Sequence, residues 1–367
     1  MKRFIILLLI GLVAYSSRSL WLDSAKSLVP PSFIDSFQSI DFSNFSWEAI
    51  DESIKSFLSA DDYVEPDEPV GIEFPDLVGP DSSLFSVHNI ELGDTRAIVE
   101  EDVGSPKRVT ENEYGLNWEA YHEEYHRFMM VAYDEENRVK GLYTNQDLIA
   151  STETEIQFGS NKAEVRDQLG VPQTSMRKGF FNYQLNQDEE YDLFELDDSY
   201  LTIFYDKHRD DTVTAIQIID YDLEQSKRTL YTEESQALRE GFEYQLFDLT
   251  NSSRSMNELP LLTWDDPVRE TARKHSTDMA VNEYFGHTNL EGKSPFDRMA
   301  DDNIRFTTAG ENLAYGQFSS IFAHEGLMNS LGHRENILKK EFRNLGVGVD
   351  FNDDSQLIIR KSFSPDK

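Results

Sequence analysis

Two stretches of this 367-residue chain gather the residue types from which chemistry is made. The first is His122-Glu123-Glu124-Tyr125-His126, which fits the pattern His-Glu-x-x-His to the letter. On a helix, residues i and i+4 share a face, so two imidazoles can hold Zn²⁺ beside a glutamate base. The neighbours argue for a different element. Trp118 and Ala120 on one side, and Phe128, Met130 and Ala132 on the other, recur at every second position around an acidic Glu123-Glu124. That is the period of two strands flanking a turn. No third protein ligand stands at a recognisable spacing. His122, Glu123 and His126 are therefore rejected as a zinc-protease site and read as a hairpin tip. Changing both histidines to Ala should move stability by only about 0.5 kcal/mol, as surface changes do.

The second stretch is the last third of the chain. Tyr284-Phe285-Gly286-His287-Thr288-Asn289, Gly310-Glu311-Asn312-Leu313-Ala314 and Asn329-Ser330-Leu331-Gly332-His333-Arg334-Glu335-Asn336-Ile337-Leu338 follow in order, ahead of Gly346-Val347-Gly348-Val349. Four of the eight histidines lie between residues 275 and 333. The chain has no cysteine, which excludes disulfides, thiol catalysis, a lipid-bearing N-terminal Cys and Cys-type zinc sites. No Gly-x-Ser-x-Gly elbow occurs, and no local signature assembles a Ser-His-Asp triad.

Taken together at these separations, the motifs resemble the CAP superfamily of cysteine-rich secretory proteins, venom antigens, pathogenesis-related proteins and exported bacterial proteins. The resemblance covers roughly residues 232–367. It implies a three-layer αβα sandwich with a groove built around His and Glu side chains. His287 and His333 match the two cavity histidines of the family, and Glu311 matches the glutamate of its Gly-Glu-Asn-Leu-Ala signature. Two neutral imidazoles and a carboxylate suit Zn²⁺ or another divalent ion, with no metal obligatory, and equally suit a polar ligand. Plainer roles stand beside these: Glu311 bonding amides of the Gly310–Gly316 loop, and His333 orienting the Asn329–Leu338 turn. Where eukaryotic members carry a Trp and a second Glu, this chain has Leu327 and Ser330, so half of the acidic pair is missing. Glu325, earlier on the same helix, is the candidate fourth member. His275 reads as a packed structural histidine and His324 as an orienting or surface residue.

The elements that must position these residues are legible as well. Gln236–Leu249 is helix-like. Asp265 or Asp266 can cap a helix with Pro267 in its first turn, running to Val281. Ser294-Pro295 and Ser319 or Ser320 open two more, and Leu345–Phe351 with Gln356–Phe363 read as a closing hairpin. Upstream, Leu92-Gly93 through Gly104-Ser105-Pro106 matches Phe158-Gly159 through Gly170-Val171-Pro172 in a register of 66 residues. Each copy reads as a short helix ended by Gly and followed by strands such as Arg127–Tyr133 and Leu201–Tyr205. This half resembles the CAP-associated N-terminal domain of Bacillus-type proteins. The fold class expected is α+β. Residues 1–22 form a signal peptide or membrane anchor, and 23–90 an acidic amphipathic spacer. Residues 91–225 form a duplicated domain (about 92–145 and 158–220), and 232–367 the CAP domain.

The net charge of −34 lies mostly in the first part: 45 acids against 19 bases precede residue 232, and 23 against 15 follow. Such a field excludes nucleic acid as a partner, since phosphate binding requires Lys and Arg. At the N-terminus Lys2-Arg3 precede an apolar run from Phe4 to Tyr15, about 18 Å of helix against roughly 30 Å of hydrocarbon. That length suits a cleaved signal, whereas residues 4–22, with Arg18 and Trp21 at the interface, reach about 28 Å and suit an anchor. Either exports the remainder, and an exported relative without cysteine points to a Gram-positive bacterium. The expected function is a non-catalytic binding module of the cell envelope, secreted or anchored with its C-terminus outside. Its partner would be an envelope protein, peptide, lipid or small ligand. A metal-dependent hydrolase of peptide or cell wall, and a structural protein with a vestigial groove, are the alternatives.

Overall fold

The computed structural model describes residues 75–185, 190–196 and 198–364. The signal or anchor at 1–22, and the spacer as far as residue 74, lie outside the described residues.

The N-terminal half is built from β1 (Phe85–Val87), α1 (Arg96–Val103), β2 (Arg108–Glu111), β3 (Asn117–Glu123), β4 (His126–Tyr133), β5 (Val139–Thr144) and β6 (Ile149–Ser151), then α2 (Lys162–Leu169), β7 (Ser175–Lys178), β8 (Phe181–Gln184), β9 (Tyr191–Glu195), β10 (Ser199–Asp206), β11 (Thr212–Asp220) and α3 (Tyr221–Ser226). Its main sheet runs β2-β3-β4-β5-β11-β10-β9. Two three-stranded meanders, β3-β4-β5 and β9-β10-β11, thus meet edge to edge at the antiparallel pair of β5 with β11. Thr95 caps α1, and Asn161 caps α2 through a box with Glu164. The two helices end on Gly104 and Gly170, at φ 76° and 84°, a region where a side chain would be strained. β1 departs from expectation. Phe85, Val87 and Ile90, inside the expected 23–90 spacer, are buried in the core of this half, and β1 pairs with β6.

The C-terminal half contains α4 (Gln236–Met256), β12 (Thr263–Trp264), α5 (Asp266–Val281), α6 (Pro295–Asp301), β13 (Gly310–Tyr315), α7 (Ser320–Asn329), α8 (Leu331–Ile337), β14 (Asn344–Phe351) and β15 (Leu357–Ser364). Its sheet runs β12-β14-β15-β13. The alternation Gly346-Val347-Gly348-Val349 sets the layers. A Cβ on Gly348 would sit 2.1 Å from the Arg273 nitrogen, so α5 lies directly on the backbone of β14. Val347 and Val349 face the other way, into a core with Leu238, Phe242 and Leu246 of α4 and Leu327 of α7. Helix, sheet and helix form the three expected layers.

α4 runs seven residues beyond the expected Leu249, through a fully buried polar stretch from Thr250 to Ser255. That stretch is a connector. Arg254 donates to the carbonyls of Pro260, Ile337, Lys339 and Phe342, and Asn251 bonds both main-chain groups of Leu262. Ser252 bonds Asn145 and Gln146 of the N-terminal half. The seam between the halves continues in Arg108–Asp248 at 2.8 Å, the two-pronged Arg334–Asp206 pair, and Asn329 bonding Lys207 N and Tyr205 O.

Candidate functional site

His287 lies in the loop that leaves α5. The helix ends at the Asn282 cap, and Glu283 then turns the chain with φ 51°. His275, buried on α5, contacts the Gly286 carbonyl at 3.0 Å through Nε2, and burial brings its pKa down to about 4. A neutral ring with one N–H aimed at a carbonyl holds the loop, the structural part expected of it. Arg298 on α6 completes the hold, donating to the carbonyls of His287 and Lys293, both at 2.9 Å.

Glu311, on β13, collects what this loop presents. Its Oε1 is 2.8 Å from His287 Nδ1, and its Oε2 accepts from Arg298 Nη2 at 2.9 Å and touches Arg360 Nε. Arg360 is fully buried on β15 and donates to the Thr271 carbonyl of α5. Burial alone would raise the Glu311 pKa; the His287 hydrogen bond and the two guanidiniums outweigh it, and the carboxyl is held below its ordinary value. The same hydrogen bond raises His287, against its partial desolvation.

The structure brings His287 and Glu311 into hydrogen-bond contact, and among the described residues no hydrogen bond joins the His333 ring to either. The half-buried ring of His333 lines a neighbouring cleft, near enough to His287 and Lys361 for their charges to add to the desolvation that lowers its pKa. Its main-chain carbonyl accepts from Asn312 Nδ2 at 2.9 Å, which ties α8 to β13. The donor set does not fit a divalent ion. Both oxygens of Glu311 are engaged, two arginines stand at the carboxylate, and no group of three metal-binding side chains occurs among the described residues. With Arg298, Arg360 and a His287 that gains protons readily, the corner carries more positive charge than Glu311 neutralises.

Glu325, the candidate fourth member, makes no hydrogen bond to His287 or Glu311 among the described residues, and it lines the neighbouring cleft together with His333. It is buried, and its Oε1 accepts from Tyr143 OH of the N-terminal half at 2.7 Å, where burial pushes its pKa up to about 7. His324 is fully buried rather than at the surface, between Ser253 Oγ at 2.8 Å and Lys361 Nζ at 3.2 Å. Sequence reasoning missed Arg298, Arg360 and Lys361. Single arginines on a helix and a strand carry no local signal, and only the fold brings them to Glu311.

His122 and His126 sit on opposite strands of the β3–β4 hairpin, whose tip is Glu124-Tyr125 with φ 48° and 62°. Two positive φ angles make a two-residue turn of the primed type that suits strand twist. The His122 ring stacks on Tyr125 at 4.0 Å, accepts the Tyr125 N–H at 3.0 Å, and is pulled down to about 4 by burial. Tyr125 reaches across the seam to Asp248 at 2.8 Å. The motif docks one half of the protein on the other.

Between the halves opens a cleft of about 740 Å³. Its floor is the end of β13 with the following loop, its walls are α7 with His333 on one side and Phe285 on the other, and Tyr191 and Lys207 face them from the N-terminal half. A second hollow of about 380 Å³ shares Phe285 and Tyr315 with it and ends at Glu283, Asp353 and Asp354.

Comparison with known proteins agrees with this architecture. Residues 92–230 match the family described as CAP-associated N-terminal, and residues 247–359 match CAP, the cysteine-rich secretory protein family. The membrane protein YlbC of Bacillus subtilis is 27% identical over 300 residues, covering 77% of this chain and 85% of that protein. YkwD of the same organism is 40% identical over 108 residues, 29% of this chain and 42% of YkwD. The crystal structure of an extracellular protein containing an SCP domain, from Bacillus anthracis, superposes with a TM-score of 0.65 at 25% identity, covering 80% of this chain and all of that one.

Proposed function

Because this chain is a CAP-domain protein with a CAP-associated N-terminal domain, we propose that it acts outside the cytoplasm as a non-catalytic binding module of the Gram-positive cell envelope. Its ligand enters the cleft between the two domains. The observation that carries this reading is the cleft itself: about 740 Å³, walled by aromatic side chains and a few polar groups, the form that small-ligand sites take. Export rests on Lys2-Arg3 and the apolar run behind them, and fits an extracellular and a membrane protein among the relatives. Among the described residues no helix is long and apolar enough to cross a membrane, so an anchor would fall to residues 4–22.

Catalysis has less support. A hydrolytic site would bring a second carboxylate to the His287–Glu311 corner, whereas Glu325 is bonded to Tyr143 across the seam. Gly326 offers the test. It lines the cleft on α7, and a Cβ there meets no atom within 4 Å. Gly326→Trp should fill the cleft and leave the fold intact. N-acetyl-tryptophanamide, followed by ligand-observed NMR, should bind the parent saturably and lose at least tenfold in affinity with the plugged variant. Equal binding to both, or none to the parent, would overturn the cleft reading. Divalent-ion-dependent cleavage of an unfolded protein substrate that disappears in Glu311→Gln would establish the hydrolase instead.

A further inference from the structure

The hydrogen-bonding parity of the C-terminal sheet leaves one edge open. Asn352 N–H bonds the Gln356 carbonyl, so in the β14–β15 register the even residues of β15 bond β14. The odd residues of β15 then bond β13, as Gly316 N–H to the Leu357 carbonyl confirms, and they pair with Gly310, Asn312 and Ala314. The main-chain groups of Glu311, Leu313 and Tyr315 therefore point away from the sheet. The Glu311 carbonyl is taken by Asn336 Nδ2 at 3.3 Å. Those of Leu313 and Tyr315 have no partner among the described residues. Leu313 is only 5% exposed. Buried main-chain groups are almost always paired, because leaving one unpaired costs about 1–3 kcal/mol. Both residues line the cleft.

We propose that the ligand is an extended peptide that adds to the outer edge of β13 as a further strand, pairing with Leu313 and Tyr315 along the floor of the cleft. This rests on the cleft reading above and narrows it to one class of occupant. Strand addition takes its affinity from main-chain hydrogen bonds and its selectivity from pockets for alternate side chains. One wall of the cleft is aromatic, formed by Phe318 and Phe322, whose rings pack against each other at 4.1 Å. The Tyr315 end opens toward the hollow that ends at Glu283, Asp353 and Asp354, three exposed acids with no ion-pair partner among the described residues. The peptide therefore carries a large apolar side chain in the cleft and a lysine or arginine at the end that lies over these acids.

The probe is the blocked hexapeptide Thr-Val-Phe-Val-Lys-Lys, with its reverse sequence to cover both strand directions, titrated into the full-length protein. One of the two should displace N-acetyl-tryptophanamide from the cleft and slow amide hydrogen exchange in residues 310–317. N-methylation of its backbone reads the geometry, because only every second amide faces the edge. Methylating the Phe amide, or instead the two Val amides, should cost at least tenfold in affinity for one set and less than threefold for the other. The double variant Asp353→Asn, Asp354→Asn should weaken the peptide and spare the indole probe. If both methylated sets bind like the parent, or both are equally weakened, strand addition is overturned while the cleft reading stands. If neither peptide displaces the indole probe, strand addition is overturned as well. If the indole probe itself ignores Gly326→Trp, the cleft reading fails first.

Discussion

The chain holds two sets made of two histidines and a glutamate, and they differ in every physical respect. His122, Glu123 and His126 fall within five consecutive residues, and the backbone sends them onto two strands. Glu123 is exposed, and its carboxylate pairs with Arg127 at 2.6 Å. His287, Glu311 and His333 are spread over 47 positions, and the fold still puts His287 on a buried Glu311 held by two arginines. Sequence proximity promises a shared face only when the local period is helical. Convergence from a distance needs elements whose packing is fixed, which here is α5 lying on the glycines of β14.

The largest test of this contrast removes each glutamate. Glu311→Ala would remove the carboxylate that touches buried Arg360 and pairs with Arg298, leaving Asp302 as a more distant countercharge, and breaking such a set costs about 3–5 kcal/mol. Glu123→Ala removes an exposed pair and should stay within about 0.5 kcal/mol. Urea unfolding of the two variants against the parent measures both. A Glu311 variant as stable as the Glu123 variant would show that the corner is held by packing alone.

A smaller effect separates the histidines by sign. The pKa of His287 is raised in the folded state, so its contribution is complete below its unfolded value of about 6.5 and is lost as pH rises through the folded value. The pKa of His122 is lowered to about 4, so its contribution is complete above about 6.5 and is lost as pH falls toward 4. The stability gap between parent and His287→Ala should therefore shrink on going from pH 6 to pH 8. The gap between parent and His122→Ala should shrink on going from pH 7 to pH 4.5. Chemical unfolding at four or five pH values reads the slopes, and parallel slopes would contradict the two environments.

Much of the C-terminal scaffold was open to sequence reading because its signals are local. Asp265, Ser294 and Ser319 are the caps of α5, α6 and α7, and the closing hairpin lies within a residue of its expected bounds. The partners of the site residues were not legible, since Arg298, Arg360 and Tyr143 come from separate elements and one of them from the other domain. The overrun of α4 was missed for a related reason. A run of Thr, Asn and Ser reads as a helix end, and its burial depends on carbonyls and amides supplied by distant segments. Glu325 shows the limit most plainly: its place on α7 was readable, but its direction depends on a tyrosine 182 positions away.

The smallest expected effect belongs to His126, and it isolates what the five-residue motif contributes. His122 stacks on Tyr125 and accepts its N–H, so its loss removes packing and a hydrogen bond at the turn, about 1 kcal/mol and more than the surface value expected from sequence. His126 only faces Glu123 across the hairpin, and His126→Ala should stay within about 0.5 kcal/mol. A metal shared by the two imidazoles would couple them. Zn²⁺ would then raise the melting temperature of the parent but of neither single variant, as a ligand of the native state does. A hairpin that serves only to carry Tyr125 to Asp248 gives no Zn²⁺-dependent shift, and the costs of the two substitutions simply add, with a coupling below about 0.5 kcal/mol. Thermal unfolding of the parent, both single variants and the double variant, with and without Zn²⁺, measures both quantities. A coupling above 1 kcal/mol that appears only with Zn²⁺ would reverse the assignment of the two sets.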